Sequence, residues 1–270
     1  MRQKTLHQRQ KAYEAAYDQA IIARIPVVVK LDGRGFQKVT HKSNKPFDDK
    51  VTALLGKTML ACVKAAEGAA FGYQYSDKII LILRNDQSPN TDPWFGNHTQ
   101  KIGSFLSSVA THEFVSALWQ EEQPPEIEGP VCFSSLVFAV PNVTEAINYL
   151  IYRQLRCMQD AVNSTAYTHL ADVDMSSKTI DERKEAIEKE AGIVFDDYPS
   201  AFRIGVGTYL TPSLISTPRG QITKQKWFLN TELPLFSEHK DFLKTILTTG
   251  SDIFRPDRDL EHGEVYQGTH

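Results

Sequence analysis

Phe71-Gly72-Tyr73-Gln74-Tyr75 and Lys78-Ile79-Ile80-Leu81-Ile82-Leu83 are two runs rich in β-branched and aromatic residues, separated only by Ser76-Asp77. Two such runs around a two-residue polar turn read as a tight antiparallel hairpin. Before them, Val51, Leu54, Leu55, Met59, Leu60 and Val63 recur at helical spacing over 48–67, and Gly68 stands where that helix should stop. Earlier still, Pro26-Val27-Val28-Val29-Lys30-Leu31 is a strand ended by Asp32-Gly33, after a helix predicted over 8–23 with Tyr13, Ala16, Tyr17, Ala20 and Ile21 on one side.

Beyond the hairpin, a polar loop over 85–93 leads to a helix over 100–120 that carries Ile102, Phe105, Leu106, Val109 and Leu118. An acidic, proline-bearing loop over 121–130 precedes a strand over 132–140. The order is strand, helix, strand, strand, helix, strand. That is the split βαβ or ferredoxin-like arrangement, an antiparallel sheet with helices on one face. The predicted class is α+β, with a palm of the kind shared by polymerases and nucleotide cyclases as a fold-level analogy. Two segments are expected: a palm-like unit over 1–142 and an extension over 143–270 packed on it. The extension holds helices over 144–170, 179–191 and 238–248, short strands over 202–209 and 226–230, and a loose polar tail after Phe254.

Composition narrows the function classes. The chain has 270 residues, 41% of them hydrophobic, enough for a sizeable core. No apolar run approaches the roughly 20 residues that span a bilayer, and the N-terminus lacks a signal-peptide core, so no membrane partner is expected. Cys62, Cys132 and Cys157 are odd in number and far apart, which fits a reducing cytoplasm and excludes a disulfide framework. A net charge of −3 argues against a general nucleic-acid binder, so any RNA contact must come from local basic runs. Arg9 and Lys11 belong to one such run, and Lys224 and Lys226 form another.

Asp32 and Asp77 are the residues that could carry chemistry. One ends a strand and the other sits in the hairpin turn, and the split βαβ order makes those elements neighbours. Two carboxylates at one sheet edge, with backbone oxygens and substrate phosphates, make a magnesium site. A pair of ions there would activate a hydroxyl and stabilise a leaving pyrophosphate. Gly33 and Gly35 let the backbone turn sharply and approach a phosphate. The plain alternative is that each aspartate is a turn former and each glycine an ordinary turn residue.

Several segments, in order along most of the chain, resemble one family. Val29-Lys30-Leu31-Asp32-Gly33-Arg34-Gly35-Phe36-Gln37-Lys38 resembles the opening signature of the tRNA-histidine guanylyltransferase family, Arg-Leu-Asp-Gly-Arg-x-Phe-His-x-Phe. Lys45-Pro46-Phe47-Asp48 is similar to its Lys-Pro-Asn/Phe-Asp segment, and Gln74-Tyr75-Ser76-Asp77 to its Gln-Ser-Asp-Glu. Trp94-Phe95, Gln100-Lys101-Ile102 and Arg153-Gln154 match later segments. Arg9-Gln10-Lys11-Ala12-Tyr13-Glu14, Gly192-Ile193, Asp197-Tyr198-Pro199 and the 227–236 stretch resemble the bacterial and archaeal-type branch.

The resemblance implies addition of nucleotides to the 5′ end of tRNA in the 3′-to-5′ direction. ATP or GTP activates the tRNA 5′-phosphate, and the 3′-hydroxyl of an incoming nucleotide then attacks. It implies two Mg2+ ions held by Asp32, Asp77 and the backbone oxygen of Gly33. It places Lys30, Lys45, Ser76 and Lys101 at phosphate contacts, Gln37 and Asp48 near the base, and Arg34, Gly35 and Phe36 in the same nucleotide-binding run. Lysines beside a metal pair would neutralise triphosphate charge. Arg9, Lys11, Arg153, Lys224 and Lys226 are the expected tRNA contacts, and a homodimer or homotetramer is implied.

Departures from the pattern bear on function. Lys78 stands where the family has an acid, Phe133-Ser134-Ser135-Leu136 replaces Phe-Asp-x-Arg, and Cys157-Met158-Gln159-Asp160-Ala161 replaces Cys-His-Ile-Asn-Asn. The last points toward templated repair of shortened tRNA 5′ ends. Two alternatives remain: a relative that holds tRNA or nucleotide without turnover, and a nucleotide cyclase on the same palm order. Other chemistries fit poorly, since His112-Glu113 has Ser116 where a zinc protease needs its second histidine, and neither a Gly-x-Ser-x-Gly nor a Walker lysine motif is present.

Overall fold

Val27, Val29 and Leu31 are fully buried in one apolar cluster and Val28 in another, so β1 (Val27–Arg34) lies between two cores. Alternation sends Lys30 and Asp32 to the same side as Val28. The computed structural model describes residues 4–87, 90–121, 129–171, 173, 175, 177–217 and 220–249. The tail after Phe254 and most of the 121–130 loop, both expected to be irregular, lie outside the described residues.

The elements are α1 (Leu6–Ala16), β1, α2 (Gln37–Thr40), α3 (Asp49–Ala65), β2 (Ala69–Tyr75), β3 (Lys78–Leu83), α4 (Thr99–Trp119) and β4 (Cys132–Ala139). They continue with α5 (Val143–His169), α6 (Ile180–Ala191), α7 (Ser200–Ile204), β5 (Val206–Thr217), β6 (Gly220–Asn230) and α8 (Lys240–Thr249). The strands form one antiparallel sheet in the order β4-β1-β3-β2-β5-β6. α3 starts where the Asp48 carboxylate accepts from the Val51 amide at 3.0 Å, and it ends before Gly68, whose φ of +75° only glycine adopts easily. The β2–β3 turn holds Ser76 at φ +49°.

α3 and α4 share one face of the sheet, as the split βαβ order predicts, and helices of the C-terminal segment cover the other. Leu54, Leu55 and Met59 of α3 and Ile102, Leu106 and Phe114 of α4 fill the first face. Ala146, Ile147 and Leu150 of α5 and Leu243, Ile246 and Leu247 of α8 fill the second, against Tyr73, Ile80 and Ile82. Each large apolar side chain so buried contributes about 1.5–3 kcal/mol. The second face needs its own cover because β2 and β3 are apolar on both sides. The far half of α5 runs on past the sheet and packs with α6 and α7 around Val162, Ile187 and Phe195.

Three expectations change. β1 continues to Arg34, which pairs with Cys132, because β4 supplies backbone partners beyond Asp32. The two short C-terminal strands become one long hairpin, β5–β6, joined to β2 through Gly72–Gln74, and the start of the first, over 202–204, is instead part of α7. The N-terminal helix stops at Ala16 and buries no residue, with Tyr13 and Tyr17 64% and 81% exposed. Its chain leaves helical spacing because Ala20 bridges to His98 and Asp18 bonds the His98 ring at 2.6 Å.

Candidate functional site

Asp32 lies opposite Lys78 in the β1–β3 register and opposite Ser134 in the β1–β4 register. The Gly33 amide donates to the carbonyl of Asp77 at 2.8 Å. The strand end and the hairpin turn therefore meet, and the structure brings Asp32 and Asp77 to one edge of the sheet. Both carboxylates are partly exposed, at 21% and 31%. Each holds an ammonium: Lys30 Nζ is 2.8 Å from Asp32 Oδ2, and Lys78 Nζ is 2.7 Å from Asp77 Oδ1. Strand alternation after Asp77 suggests that Lys78 points away. The register corrects this, because Lys78 faces Asp32 across the strands and Asp77 belongs to the turn.

The loop after β1 is shaped by packing. A Cβ on Gly33 would lie 2.5 Å from the Phe36 ring, and one on Gly35 (φ +76°) would lie 2.3 Å from the Pro130 carbonyl oxygen. The Phe36 side chain, expected in the nucleotide-binding run, turns into the core. Its ring is buried 4.7 Å from Phe114 and 5.2 Å from Phe133, because the run needs an apolar anchor under the turn. Arg34 Nε donates to Ser134 Oγ at 3.0 Å, and Ser134 Oγ donates to the Asp32 carbonyl at 3.4 Å. Gln37 begins α2 and is exposed. Lys45 is also exposed, on the loop into α3. Asp48, expected near a base, spends both oxygens on the amides of Val51 and Asn44, at 3.0 and 2.9 Å. Ser76 is exposed in the turn, its hydroxyl 3.4 Å from Asp77 Oδ1.

Lys101 is not brought to the aspartates. β3 runs from Lys78 at the site to Leu83 at the other end of the sheet, and α4 starts there, tied to Gln19 and Ala20. Lys101 and Lys11 line the same groove between α1 and α4. Arg9 is exposed on α1, and Lys224 and Lys226 are exposed on β6. Arg153, expected at the tRNA, is only 8% exposed. Its Nη2 donates to the Tyr75 hydroxyl, and its guanidinium lies 5.3, 5.9 and 5.5 Å from the rings of Tyr75, Tyr149 and Tyr152.

Tyr75 and Tyr149 were not singled out from the sequence, although Tyr149, Tyr152, Arg153 and Arg156 at helical spacing on α5 carry the signal. Burial pushes the Tyr149 hydroxyl above its ordinary range; Arg153 opposes this, and Tyr152 and the Asp32 carboxylate add to it. α5 packs on the face of the sheet that carries Val28, and its Arg153 reaches Tyr75 beside the hairpin turn. Among the described residues no three His, Cys, Asp or Glu side chains form a metal cluster. The donor set is two carboxylates and nearby backbone oxygen. That set fits magnesium, which is held through one or two carboxylates and completes its shell with water and phosphate.

Comparison with known proteins decides the affiliation. The model of the family described as tRNAHis guanylyltransferase matches residues 7–141, which contain both aspartates and the sheet edge between them.

The chain belongs to the tRNAHis guanylyltransferase family.

This is a family of nucleotidyltransferases. Among curated members, the probable tRNA(His) guanylyltransferase of Dictyostelium discoideum is 24% identical over 76% of this chain and 83% of its own length. The tRNA(His) guanylyltransferase 1 of Arabidopsis thaliana is 24% identical over 68% of this chain, which spans only 33% of that longer protein. Among solved members, a bacterial tRNA(His) guanylyltransferase-like protein in complex with ATP superposes with a TM-score of 0.78 at 23% identity, over 90% of this chain and 99% of its own. The tRNA(His) guanylyltransferase of Saccharomyces cerevisiae gives 0.62 at 20% identity, over 77% and 92%. At these identities the likeness is one of fold: a mixed α/β chain with an antiparallel sheet.

Proposed function

We propose that this chain adds nucleotides to the 5′ end of tRNA in the 3′-to-5′ direction, working from the Asp32–Asp77 edge of a palm-type sheet with magnesium and ATP or GTP. The observation that carries the reading is the junction of these two aspartates by the Gly33–Asp77 hydrogen bond in a chain of this family. A palm description is supported by the β4-β1-β3-β2 order, which is that of a split βαβ unit. The reading extends to repair of shortened tRNA ends by pairing with the opposing strand, a cytoplasmic setting and a dimeric or tetrameric assembly. No helix among the described residues is long and apolar enough to cross a membrane.

Asp32, Asp77 and the Gly33 carbonyl would hold the magnesium, as one ion or a pair. When bound, magnesium lowers the pKa of a hydroxyl nucleophile and stabilises charge on a leaving pyrophosphate. The chain's own groups position and neutralise. Lys30 and Lys78 offer ammonium ions at the carboxylates, where phosphate oxygens would arrive. Ser76 offers an exposed hydroxyl on the same turn, and Arg34 is braced by Ser134. Arg153 of α5 fixes the hydroxyl of Tyr75, whose ring lies behind the Lys78 ammonium.

A test uses tRNA lacking its 5′ nucleotide, labelled triphosphates and magnesium. Product lengthened at the 5′ end is expected, lost with chelator. Absence of product from several tRNAs would overturn the proposal. A second reading, binding without turnover, is favoured by the Lys78–Asp77 ion pair, and the same assay decides it. Cyclic nucleotide formed without RNA would point instead to a cyclase.

A further inference from the structure

The two aspartates repel each other, and the chain supplies its own remedy. Like charges at one edge need a cation nearby. Lys30 and Lys78 provide one each, at 2.8 and 2.7 Å, so the four groups together carry no net charge. Lys78 is held from behind as well. Its Nζ lies 5.6 Å from the centre of the Tyr75 ring, and the Tyr75 hydroxyl is fixed by the buried guanidinium of Arg153. A cation over an aromatic face is attracted by the ring quadrupole. Both lysine side chains are partly exposed, at 22% and 27%, so neither ammonium is locked in the core.

A divalent cation that approaches Asp32 and Asp77 therefore meets two ammonium ions already on the oxygens it needs. It must displace them or sit beside them, and like charges a few ångström apart repel. A triphosphate changes this balance, because its oxygens give both ammonium ions a new partner within reach of the same edge. We infer that Lys78, with Lys30, is a resident counter-ion that makes divalent-cation binding and triphosphate binding depend on each other. The bare site takes the divalent cation poorly, and triphosphate admits it by drawing the ammonium ions onto phosphate. Coupling of this kind is reciprocal, so the cation strengthens triphosphate binding by the same factor. The inference rests on the metal-and-triphosphate reading of the site.

The experiment is titration of the full chain with Mn2+, followed by electron paramagnetic resonance of the free ion. It is run without nucleotide and with a non-hydrolysable triphosphate analogue, after subtraction of the ion that the analogue binds in solution. For the unaltered chain, affinity should be markedly higher with the analogue. Without the analogue, Lys78→Gln should tighten Mn2+ binding about tenfold, the effect of one unit charge on a divalent neighbour at near-water dielectric. Lys78→Arg keeps the charge and should stay at the original affinity. Equal bare-site affinity in Lys78→Gln and the unaltered chain would overturn the inference and leave nucleotide addition standing. So would tightening in Lys78→Arg as large as in Lys78→Gln. If the unaltered chain binds no Mn2+ even with the analogue, the assignment of Asp32 and Asp77 as metal ligands falls, and the inference with it.

Discussion

The amide of Gly33 donates to the carbonyl of Asp77 across 2.8 Å, so the residue after one aspartate holds the backbone of the other. The two carboxylates are thus fixed by main chain, and changing one side chain leaves the other in place. Asp32→Asn removes a negative charge that neither the Gly33 bond nor the core uses. Nucleotide addition should fall at least ~100-fold, since an electrostatic contact to the reacting groups is worth about that much. The thermal midpoint should stay within a few degrees of the original. An active Asp32→Asn chain, or an unfolded one, would contradict this account.

Gly35→Ala places a methyl 2.3 Å from the Pro130 carbonyl oxygen at a φ of +76°. The backbone must shift, and the strain costs on the order of 1–3 kcal/mol. Chemical denaturation should register the loss. Activity should fall further than stability alone explains, because Gly35 directly follows Arg34 at the end of β1 and the same loop leads to Lys45.

Tyr75→Phe removes the acceptor for Arg153 Nη2, and Arg153 Nε already has no hydrogen-bond partner among the described residues. A buried guanidinium deprived of a charge-assisted hydrogen bond costs about 1.5–3 kcal/mol. Urea unfolding should show that loss. A change below ~0.5 kcal/mol would mean that Arg153 finds another partner.

Alkaline pH offers a test of the buried tyrosines. Burial is the leading cause that raises Tyr73, Tyr75 and Tyr149 above the ordinary value of 10.0. In the unfolded chain they ionise near the ordinary value, whereas the folded chain keeps them neutral. Their contribution to stability is therefore full below about pH 10 and is lost as pH rises through the folded values. The thermal midpoint should decline above about pH 10, and tyrosinate absorbance should develop at lower pH in urea than in the native protein. Identical titrations in the two states would refute the burial.

The proposed indifference to the anticodon rests on α5. Cys157 is buried, Met158 is half-buried against the second core, and Asp160 lies 3.7 Å from Arg156. Met158 cannot offer the donor and acceptor of an imidazole, and Asp160 repels phosphate. Rates on 5′-truncated tRNAs that differ only in anticodon should agree within about twofold at fixed salt, and the added base should follow the opposing strand. A strong preference for the histidine anticodon would sink this expectation.

The local elements were legible in the sequence because each rests on nearest-neighbour physics. Helical spacing placed α3, α4 and α5 to within a residue or two, and the Ser76-Asp77 turn marked the β2–β3 hairpin. The pairing of Asp32 with Asp77 was also readable, since strand order alone makes that strand and that turn neighbours. What lay beyond local pattern was decided by tertiary contacts. The second helical face exists because β2 and β3 are apolar on both sides, a pattern that does not say which helix will cover them. β5 and β6 are polar along much of their length and become strands only through pairing with each other and with β2. Lys101 and Arg153 sit in segments that match a family, yet one lies at the opposite end of the sheet and the other is buried among tyrosines. Lys78 shows the limit most clearly. Its place beside Asp77 is written in the sequence, but its facing of Asp32 comes from the β1–β3 register, which long-range strand pairing sets.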